Sequence, residues 1–559
     1  MRDLNLVIAG AAGEGVQTVG EILAETVAAQ GYSVFAWQEY ESRIRGGQNS
    51  YSIRVSEEPH NAPLLRADVL LALNAGAAEK YKGLLGGKGV VIAREQDAEG
   101  VIGIPFGEIA KAEIGAEIYA NTVAVGALAG VLDLDLEVLK EVLEANFSHK
   151  GRKVVAANCK AVEKGFERAK RDCRDMCPWT LPAGQGSHFV IAGNEAIPVA
   201  AAYAGCRFIS AYPMTPSTGI ITFLAREGES LGIFAEQAED EIGAINMALG
   251  ASYGGARAMT ATSGGGFALM VEGVSLAGMI ETPLVIVLAQ RPGPATGLPT
   301  RTAQGDLLFA IHAGHGEFPK LVMAPSDPED AFRKTVRAFN MADKYQIPVI
   351  LLTDQFLADA HYSYTDFETS GVSPAGFLSD ASTIREYRRY RLTTDGISPR
   401  LYPGQSKNLV CVDSDEHDEY GHITEDMAQT VPSMVEKRLA KLTGLRSEVN
   451  PPEEYSIEGA EHILVGWGSS RGAIMEAIDL LRDEGVRAGM IHFTELWPLP
   501  EYRFPERTLL WHVESNAGGQ MARLLRSEFG VSFYGAVRRY DGLPLTGEYI
   551  RRLFHAKHK

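Results

Sequence analysis

The chain has 559 residues, a net charge of −18, 45% hydrophobic residues, 59 glycines and 26 prolines. That length is too great for one hydrophobic core and predicts about three or four domains. The acidic balance argues against nucleic acid or an anionic membrane as the main partner, because phosphate binding needs concentrated Lys and Arg. No apolar run approaches the roughly 20 residues of a membrane span, and "MRDLNLVIAGAAGEG" lacks the layout of a signal peptide, so a cytoplasmic location is expected.

The first segment opens with a strand, "LNLVIAG", then the glycine-rich turn "GAAGEG" (Gly10 to Gly15), then the helical "VQTVGEILAETVAAQG". Strand, glycine turn and helix form a layout in which backbone N–H groups can meet a phosphate. The spacing is G-x-x-G-x-G, which is not the dinucleotide fingerprint. "ADVLLALN", "GVVIA" and "NTVAVGALAGVL" continue the alternation of strand and helix, and the basic stretch from Ser148 to Cys177 reads as a helix followed by an exposed linker.

A second segment begins at "HFVIAGNEAIPVAAAYAG". Its runs "PLVIVLA" and "PVILLTD" are apolar throughout, as strands of a parallel sheet covered on both faces must be. "ISAYPMTPSTG" sets two prolines one residue apart directly after an apolar run. Each fixes its own φ and biases the preceding residue toward extended geometry, so Met214 and Thr215 are expected on a stiff loop with Pro216 in the first turn of a helix. The stretch from Ser370 to Leu442 is polar and irregular. A third segment, from "EHILVGWGSSRG", repeats the strand, turn and helix pattern to the C-terminus. The cluster Asp413, Asp415, Glu416, His417, Asp418, Glu419 and His422 has ligand types but no ligand spacing, so a solvated loop is expected rather than a metal site. The five cysteines, Cys159, Cys173, Cys177, Cys206 and Cys411, form no Cys₄ pattern and are expected as reduced thiols.

In order along the chain stand "GAAGEGVQTVG" with "ESRIRGGQNS", "YPMTPST", "EDEIGAINMALGASYGGARAMTATSGGGFALMVEG", "RPGPATGLPT", "SDEHDEYGHITEDM", "VESNAGGQMARLLR" and "YDGLPLTGEYI". Together they resemble the 2-oxoacid:ferredoxin oxidoreductases, and the chain is similar over nearly its whole length to their α subunit with a γ domain fused in front. The resemblance implies a multidomain α/β fold. A γ-like domain would occupy 1–180, a thiamine diphosphate pyrimidine-binding domain 186–370, an irregular connecting segment 371–455 and a transketolase-C-terminal-like domain 456–559.

The resemblance lays the loop Tyr212, Pro213, Met214, Thr215 and Pro216 against thiamine diphosphate, with Thr215 beside the substrate carboxylate. It places Arg291, Thr300 and, less centrally, Arg301 in the oxoacid pocket. Thiamine chemistry needs a carboxyl group at the pyrimidine ring. "AEQAEDEIGAINMALG" offers Glu236, Glu239, Asp240 and Glu241, and Glu241, nine positions before Gly250, aligns with the family's catalytic glutamate. Glu239 is the alternative, and a plain acidic helix start accounts for any one of them. The γ-like domain is associated with coenzyme A, which would bring Gly13, Gly15, Arg43 and Arg45 to its phosphates; a solvated basic loop explains the arginines equally well.

No G-D-G diphosphate motif occurs in the sequence. The resemblance therefore implies that a partner β subunit supplies the diphosphate site, Mg²⁺ and a [4Fe–4S] cluster, in a heterodimer or heterotetramer. The activity implied is oxidative decarboxylation of a 2-oxoacid with coenzyme A and ferredoxin, 2-oxoglutarate being favoured. A pyruvate- or indolepyruvate-type enzyme and a non-catalytic scaffold subunit are the alternatives.

Overall fold

The apolar runs become the strands of three sheets in the computed structural model, which describes residues 3–42, 47–94, 101–173, 176–182 and 184–558. The chain forms two units, residues 1–191 with 360–367, and residues 192–359 with 368–559.

The first unit is built on eight strands: β1 (Leu4–Ala11), β2 (Ser33–Glu39), β3 (Gln48–Ser56), β4 (Ala67–Ala72), β5 (Leu85–Ala93), β6 (Val101–Gly103), β7 (Phe189–Ala192) and β14 (His361–Tyr364), in the order β6-β5-β4-β1-β3-β2-β14-β7. β1 runs parallel to β4 and antiparallel to β3, so the sheet is mixed. β14 comes from far along the chain: its Ser363 hydroxyl accepts the Val34 N–H at 2.7 Å, and its Tyr362 ring meets Phe35 edge to face. The sequence reading places "HYSY" in the second segment, because four residues are too few to show which sheet they join. The basic stretch does form a helix, Arg152–Asp172. It lies against the helix Ala120–Leu132 at a glycine crossing, where a Cβ on Gly126 would strike the Val162 carbonyl and one on Gly165 the Val123 carbonyl.

The second unit holds two sheets. The larger, in the order β18-β12-β13-β11-β10-β8-β9, comprises β8 (Cys206–Ala211), β9 (Phe234–Gln237), β10 (Arg257–Thr262), β11 (Leu284–Gln290), β12 (Leu321–Met323), β13 (Pro348–Asp354) and β18 (Glu495–Trp497). Its strands are parallel except for β18, and every residue of β11 and β13 is buried, as apolar runs of that length require. The smaller, in the order β15-β17-β16-β19-β20, comprises β15 (Glu453–Tyr455), β16 (His462–Trp467), β17 (Ala488–Phe493), β19 (Leu509–Glu514) and β20 (Gly535–Arg538). Side chains from both sheets, such as Leu288 and Trp467, and from the helices that cover them, such as Phe267 and Leu525, join one core.

The polar stretch 371–455 is irregular only as far as residue 429; a 19-residue helix, Thr430–Glu448, follows. Its amphipathic pattern is concealed because its buried face carries Lys437, Arg438 and Lys441. Both lysines close on the carboxylate of Glu281, Lys437 at 2.6 and 2.9 Å and Lys441 at 2.5 Å, with all three side chains 1% exposed. Glu281 stands just past the end of the helix Gly264–Met279 at φ +49°, where glycine is usual, and Thr282 N–H returns to the Ala277 carbonyl at 3.0 Å. Arg389 donates to the Glu281 carbonyl at 2.6 Å, and Tyr390 to that of Ile280 at 3.1 Å. The carbonyls just past this helix are thus met by Arg389 and Tyr390, and a cation at that end is favoured by the helix dipole. The acidic cluster turns partly inward for the same reason: Glu416 forms a paired contact with Arg438 at 2.8 and 2.6 Å, and Glu419 accepts from Arg388 at 2.8 Å.

Burial pushes the Glu281 carboxyl up, but Lys441, Lys437 and Arg389 outweigh it and hold it well below the usual carboxylate range. Glu281→Gln leaves the buried cations without their counter-charge and should cost about 3–5 kcal/mol at neutral pH. A depressed carboxylate contributes stability above its unfolded value, near 4.3, and loses it as pH falls below that value. The gap between wild type and variant in urea unfolding should therefore shrink below about pH 4; a gap absent at pH 7 would contradict this account.

Candidate active site

β11, β10, β8 and β9 are adjacent and parallel, so the four loops leaving their carboxyl ends meet along one edge of the sheet. That edge is where open α/β sheets hold ligands. The connections are 212–217 after β8, 238–240 leading into the helix Glu241–Tyr253 after β9, Ser263 leading into the helix Gly264–Met279 after β10, and 291–300 after β11.

The Tyr212–Ser217 loop is fixed by its own contacts. Ser217 Oγ donates to the Met214 carbonyl at 2.7 Å, and Asn194 Nδ2 to the Pro216 carbonyl at 2.9 Å. The following helix is Thr218–Leu231, so Pro216 stands just outside it rather than in its first turn, and the Thr215–Pro216 bond is cis. Tyr212 is exposed, and Pro213, Met214 and Thr215 are half-buried.

Among the acidic candidates the structure distinguishes sharply. Glu239 and Asp240 are exposed, Glu236 is half-buried, and Glu241 is 3% exposed. Asp240 caps the helix Glu241–Tyr253 by accepting the Gly243 N–H at 2.7 Å, which takes up the role of acidic helix start. Glu241 has no such role. Its Oε1 is buried without a hydrogen-bond partner among the described residues. A Cβ on Gly266 would collide with that oxygen and with Thr262 Oγ1, so the glycine lets the first turn of the Gly264 helix close over the carboxyl group.

Arg291 follows β11 directly and donates through Nη1 to the Thr215 carbonyl at 2.6 Å, tying the two loops together. Burial lowers its pKa, against the pull of Asp306. The segment "RPGPATGLPT" folds on itself: Leu298 N–H returns to the Pro292 carbonyl at 3.0 Å, and Gly297, at φ +53°, takes a position where a Cβ would strike that carbonyl. Thr300 and Arg301 lie at its end, half-buried, where Gly542 of "YDGLPLTGEYI" approaches Arg301 so closely that a Cβ would come within 2.9 Å. "VESNAGGQ" supports the same segment: Ser515 and Asn516 bond both ends of Gln304, and Gln520 Oε1 accepts from Leu308 N–H at 2.9 Å. Glu514, fully buried, accepts from Met521 N–H at 2.9 Å and Ala522 N–H at 3.1 Å and holds that turn.

Reading motifs alone overlooks Asp306. Its backbone N–H donates to Gln290 Oε1 at 2.9 Å, its Oδ2 is buried without a hydrogen-bond partner among the described residues, and a Cβ on Gly264 would come within 2.6 Å of that oxygen. Burial pushes the carboxyl up to about 6, with Arg291 pulling it back. The signals that point to it are the glycine run "TSGGG" opening a helix and an acid shortly after "RPGPATGLPT".

A cavity of about 550 Å³ opens elsewhere in this unit beside Arg337, Asn340 and Lys344. Its cations are already engaged, Arg337 with Glu495 at 2.8 Å and Lys344 with Glu448 at 2.5 Å, which suits it poorly to a charged substrate. In the first unit, Gly13 and Gly15 take φ +88° and +73°, and Glu14 shapes their turn by accepting from Ala11 N–H at 2.8 Å and Asn74 Nδ2 at 2.5 Å. Arg43 and Arg45 lie outside the described residues.

The family described as pyruvate ferredoxin/flavodoxin oxidoreductase matches residues 5–168, and that described as pyruvate flavodoxin/ferredoxin oxidoreductase, thiamine diP-bdg, matches residues 199–437. The chain is 32% identical to 2-oxoacid:ferredoxin oxidoreductase 2, subunit alpha, of Aeropyrum pernix, over 98% of this chain and 96% of that protein. It is 30% identical to the 2-oxoglutarate oxidoreductase subunit KorA of Mycobacterium tuberculosis, over 99% of this chain and 91% of that protein. The solved 2-oxoglutarate:ferredoxin oxidoreductase from Magnetococcus marinus, with 2-oxoglutarate, coenzyme A and succinyl-CoA bound, superposes with a TM-score of 0.89 at 32% identity over the full length of both chains. No helix among the described residues is long and apolar enough to cross a membrane. The chain belongs to the 2-oxoacid:ferredoxin oxidoreductase family, as a thiamine-binding α subunit of these enzymes.

Proposed function

We propose that this subunit, joined to a β subunit, oxidatively decarboxylates a 2-oxoacid, with 2-oxoglutarate favoured, to acyl-CoA and CO₂ while reducing ferredoxin. The observation that carries the reading is the orphaned carboxyl oxygen of Glu241, buried beneath Gly266 at the edge where the Thr215 and Arg291 loops meet. A buried carboxyl without a partner is costly in an empty protein and is accounted for by a ligand group that bonds to it. The pyrimidine ring of thiamine diphosphate fits that requirement. The bound cofactor supplies the electron sink that decarboxylation of a 2-oxoacid needs.

This chain's residues then divide the work. Glu241, 3% exposed, holds a proton at the pyrimidine nitrogen. Arg291 and Thr215, already tied together, grip the substrate carboxylate, with Thr300 and Arg301 at the far end of the same loop. The Tyr212–Pro216 loop lies against the cofactor ring. Glu239, exposed, is left to the solvent side.

Support for a partner comes from exposed apolar side chains, most of them on the loops and helices that carry the site residues. Tyr212, Ile242, Met247, Leu269, Leu298 and Tyr540 are all exposed, between 39% and 70%. A set of large apolar side chains on one unit beside an incomplete site is suited to a docking subunit that brings the diphosphate site, Mg²⁺ and a [4Fe–4S] cluster. In the N-terminal unit, Gly13 faces open space, with nothing within 4 Å of a Cβ, and the Gly13–Gly15 turn with Arg43 and Arg45 is our candidate for coenzyme A. The bound ligands of the Magnetococcus protein and the name of the Mycobacterium relative favour 2-oxoglutarate. The name of the Aeropyrum relative favours a broader 2-oxoacid range.

The purified αβ complex should reduce a viologen dye only when both an oxoacid and coenzyme A are present, and among 2-oxoglutarate, pyruvate, indolepyruvate and branched oxoacids it should turn over 2-oxoglutarate best. A complex that binds no thiamine would establish the scaffold alternative instead. Arg291→Ala should raise the oxoacid KM by about 10- to 150-fold while thiamine stays bound, the equivalent of roughly 1.5–3 kcal/mol for a charged hydrogen bond. An unchanged KM would remove Arg291 from the pocket.

A further inference from the structure

We propose that Asp306 is a proton-holding residue of the oxoacid pocket, neutral when an anionic oxoacid is bound, so that binding of the substrate draws one proton from solvent onto its carboxyl group. The proposal rests on the reading of this edge as a 2-oxoacid site and adds to it a residue and a proton that the reading does not require.

The position is unusual for an acid. Asp306 follows the oxoacid loop and is anchored through its backbone, whose N–H donates to Gln290 Oε1 at 2.9 Å while its carbonyl accepts the Ala310 N–H at 2.8 Å. Its side chain does not cap the helix it precedes, Leu307–His312. Oδ2 instead lies buried and unbonded against Gly264, which opens the 16-residue helix Gly264–Met279. On the other side of that helix's first turn the Glu241 carboxyl, 3% exposed, is likewise unbonded at Oε1. Two orphaned carboxyl groups thus flank one short stretch of glycine backbone, and one of them already has an assigned use.

The charged group acting on Asp306 is Arg291. The element packed beside it from the C-terminal part of the chain, the helix Gln520–Phe529, presents a neutral amide there, Gln520, whose Nε2 donates to the Gly305 carbonyl at 2.5 Å. Arg291 is therefore shared. With the pocket empty it offsets an ionised Asp306; once an oxoacid carboxylate takes up the guanidinium, Asp306 is left facing a second negative charge with its counter-charge in use. A like charge at close range favours the neutral acid, and the protonated carboxyl gains an O–H donor for the ligand. A carboxyl already raised to about 6 needs only a modest further shift to be protonated at neutral pH.

The test is calorimetric titration of 2-oxoglutarate into the assembled complex loaded with a thiamine diphosphate analogue blocked at C2, which binds but cannot react, in two buffers of different ionisation enthalpy. Near pH 7 the wild-type complex should take up a substantial fraction of a proton per site, roughly half or more, and its Kd should rise by up to about tenfold per pH unit above about pH 6. Asp306→Asn should bind without uptake and with a flat pH profile, whereas Glu241→Gln should still take up the proton. Binding by wild type without proton uptake, or uptake that persists in Asp306→Asn, overturns the proposal. If Asp306→Asn does not assemble, the wild-type complex decides alone: an affinity that is flat from pH 6 to 8 overturns it, and one that falls supports it. A wild-type complex that does not bind 2-oxoglutarate, pyruvate or any other oxoacid at any pH overturns the oxoacid reading itself, which separates the two failures.

Discussion

The site depends on the helix Gly264–Met279 being held at one end and bare at the other. At its carboxyl end, Glu281 occupies a left-handed position and gathers Lys437 and Lys441, while Arg389 and Tyr390 take the carbonyls just past the helix. At its amino end stand Gly264, Gly265 and Gly266, with no side chain between the backbone and the carboxyl groups of Asp306 and Glu241. The helix Thr430–Glu448 and the irregular strap before it therefore act on the active edge from a distance. They fix the axis of the helix whose first turn shapes the site.

The remaining loops are assembled around that turn by bonds between backbone and side chain. Arg291 reaches the Thr215 carbonyl, Gln304 is held by Ser515 and Asn516, and Glu514 fixes the turn that presents them. Each of these side chains is bonded by other residues of the same chain. On the proposed reading, a substrate carboxylate would meet a guanidinium already held by the Thr215 carbonyl, which would reduce the ordering cost of binding.

Much of this was legible in the sequence where the physical requirement is local. Uniformly apolar runs such as "PLVIVLA" can only be strands covered on both faces, and ordered motifs along nearly the whole chain point to the family. The choice of Glu241 over Glu239 rested on alignment alone; the structure adds burial and an orphaned oxygen, which no spacing could supply. What escaped was long-range. "HYSY" joins the first sheet through partners more than 300 residues away, as Ser363 does with Val34. The helix Thr430–Glu448 concealed its core-facing side because that side carries lysines, whose burial makes sense only once Glu281 is found beneath them. Asp306 bears no motif of its own, and its significance comes from what does not bond to it.

The central claim is that the Glu241 carboxyl serves the cofactor's pyrimidine ring. Hydrogen–deuterium exchange at C2 of thiamine bound to the αβ complex tests it most directly, because that exchange needs no substrate and no electron acceptor. Glu241→Gln keeps the size and one hydrogen bond but cannot hold the proton, and general acid–base contributions are typically about 10²–10⁴-fold. The account predicts exchange slowed by at least about 100-fold with thiamine still bound. Exchange at the wild-type rate in that variant would contradict it.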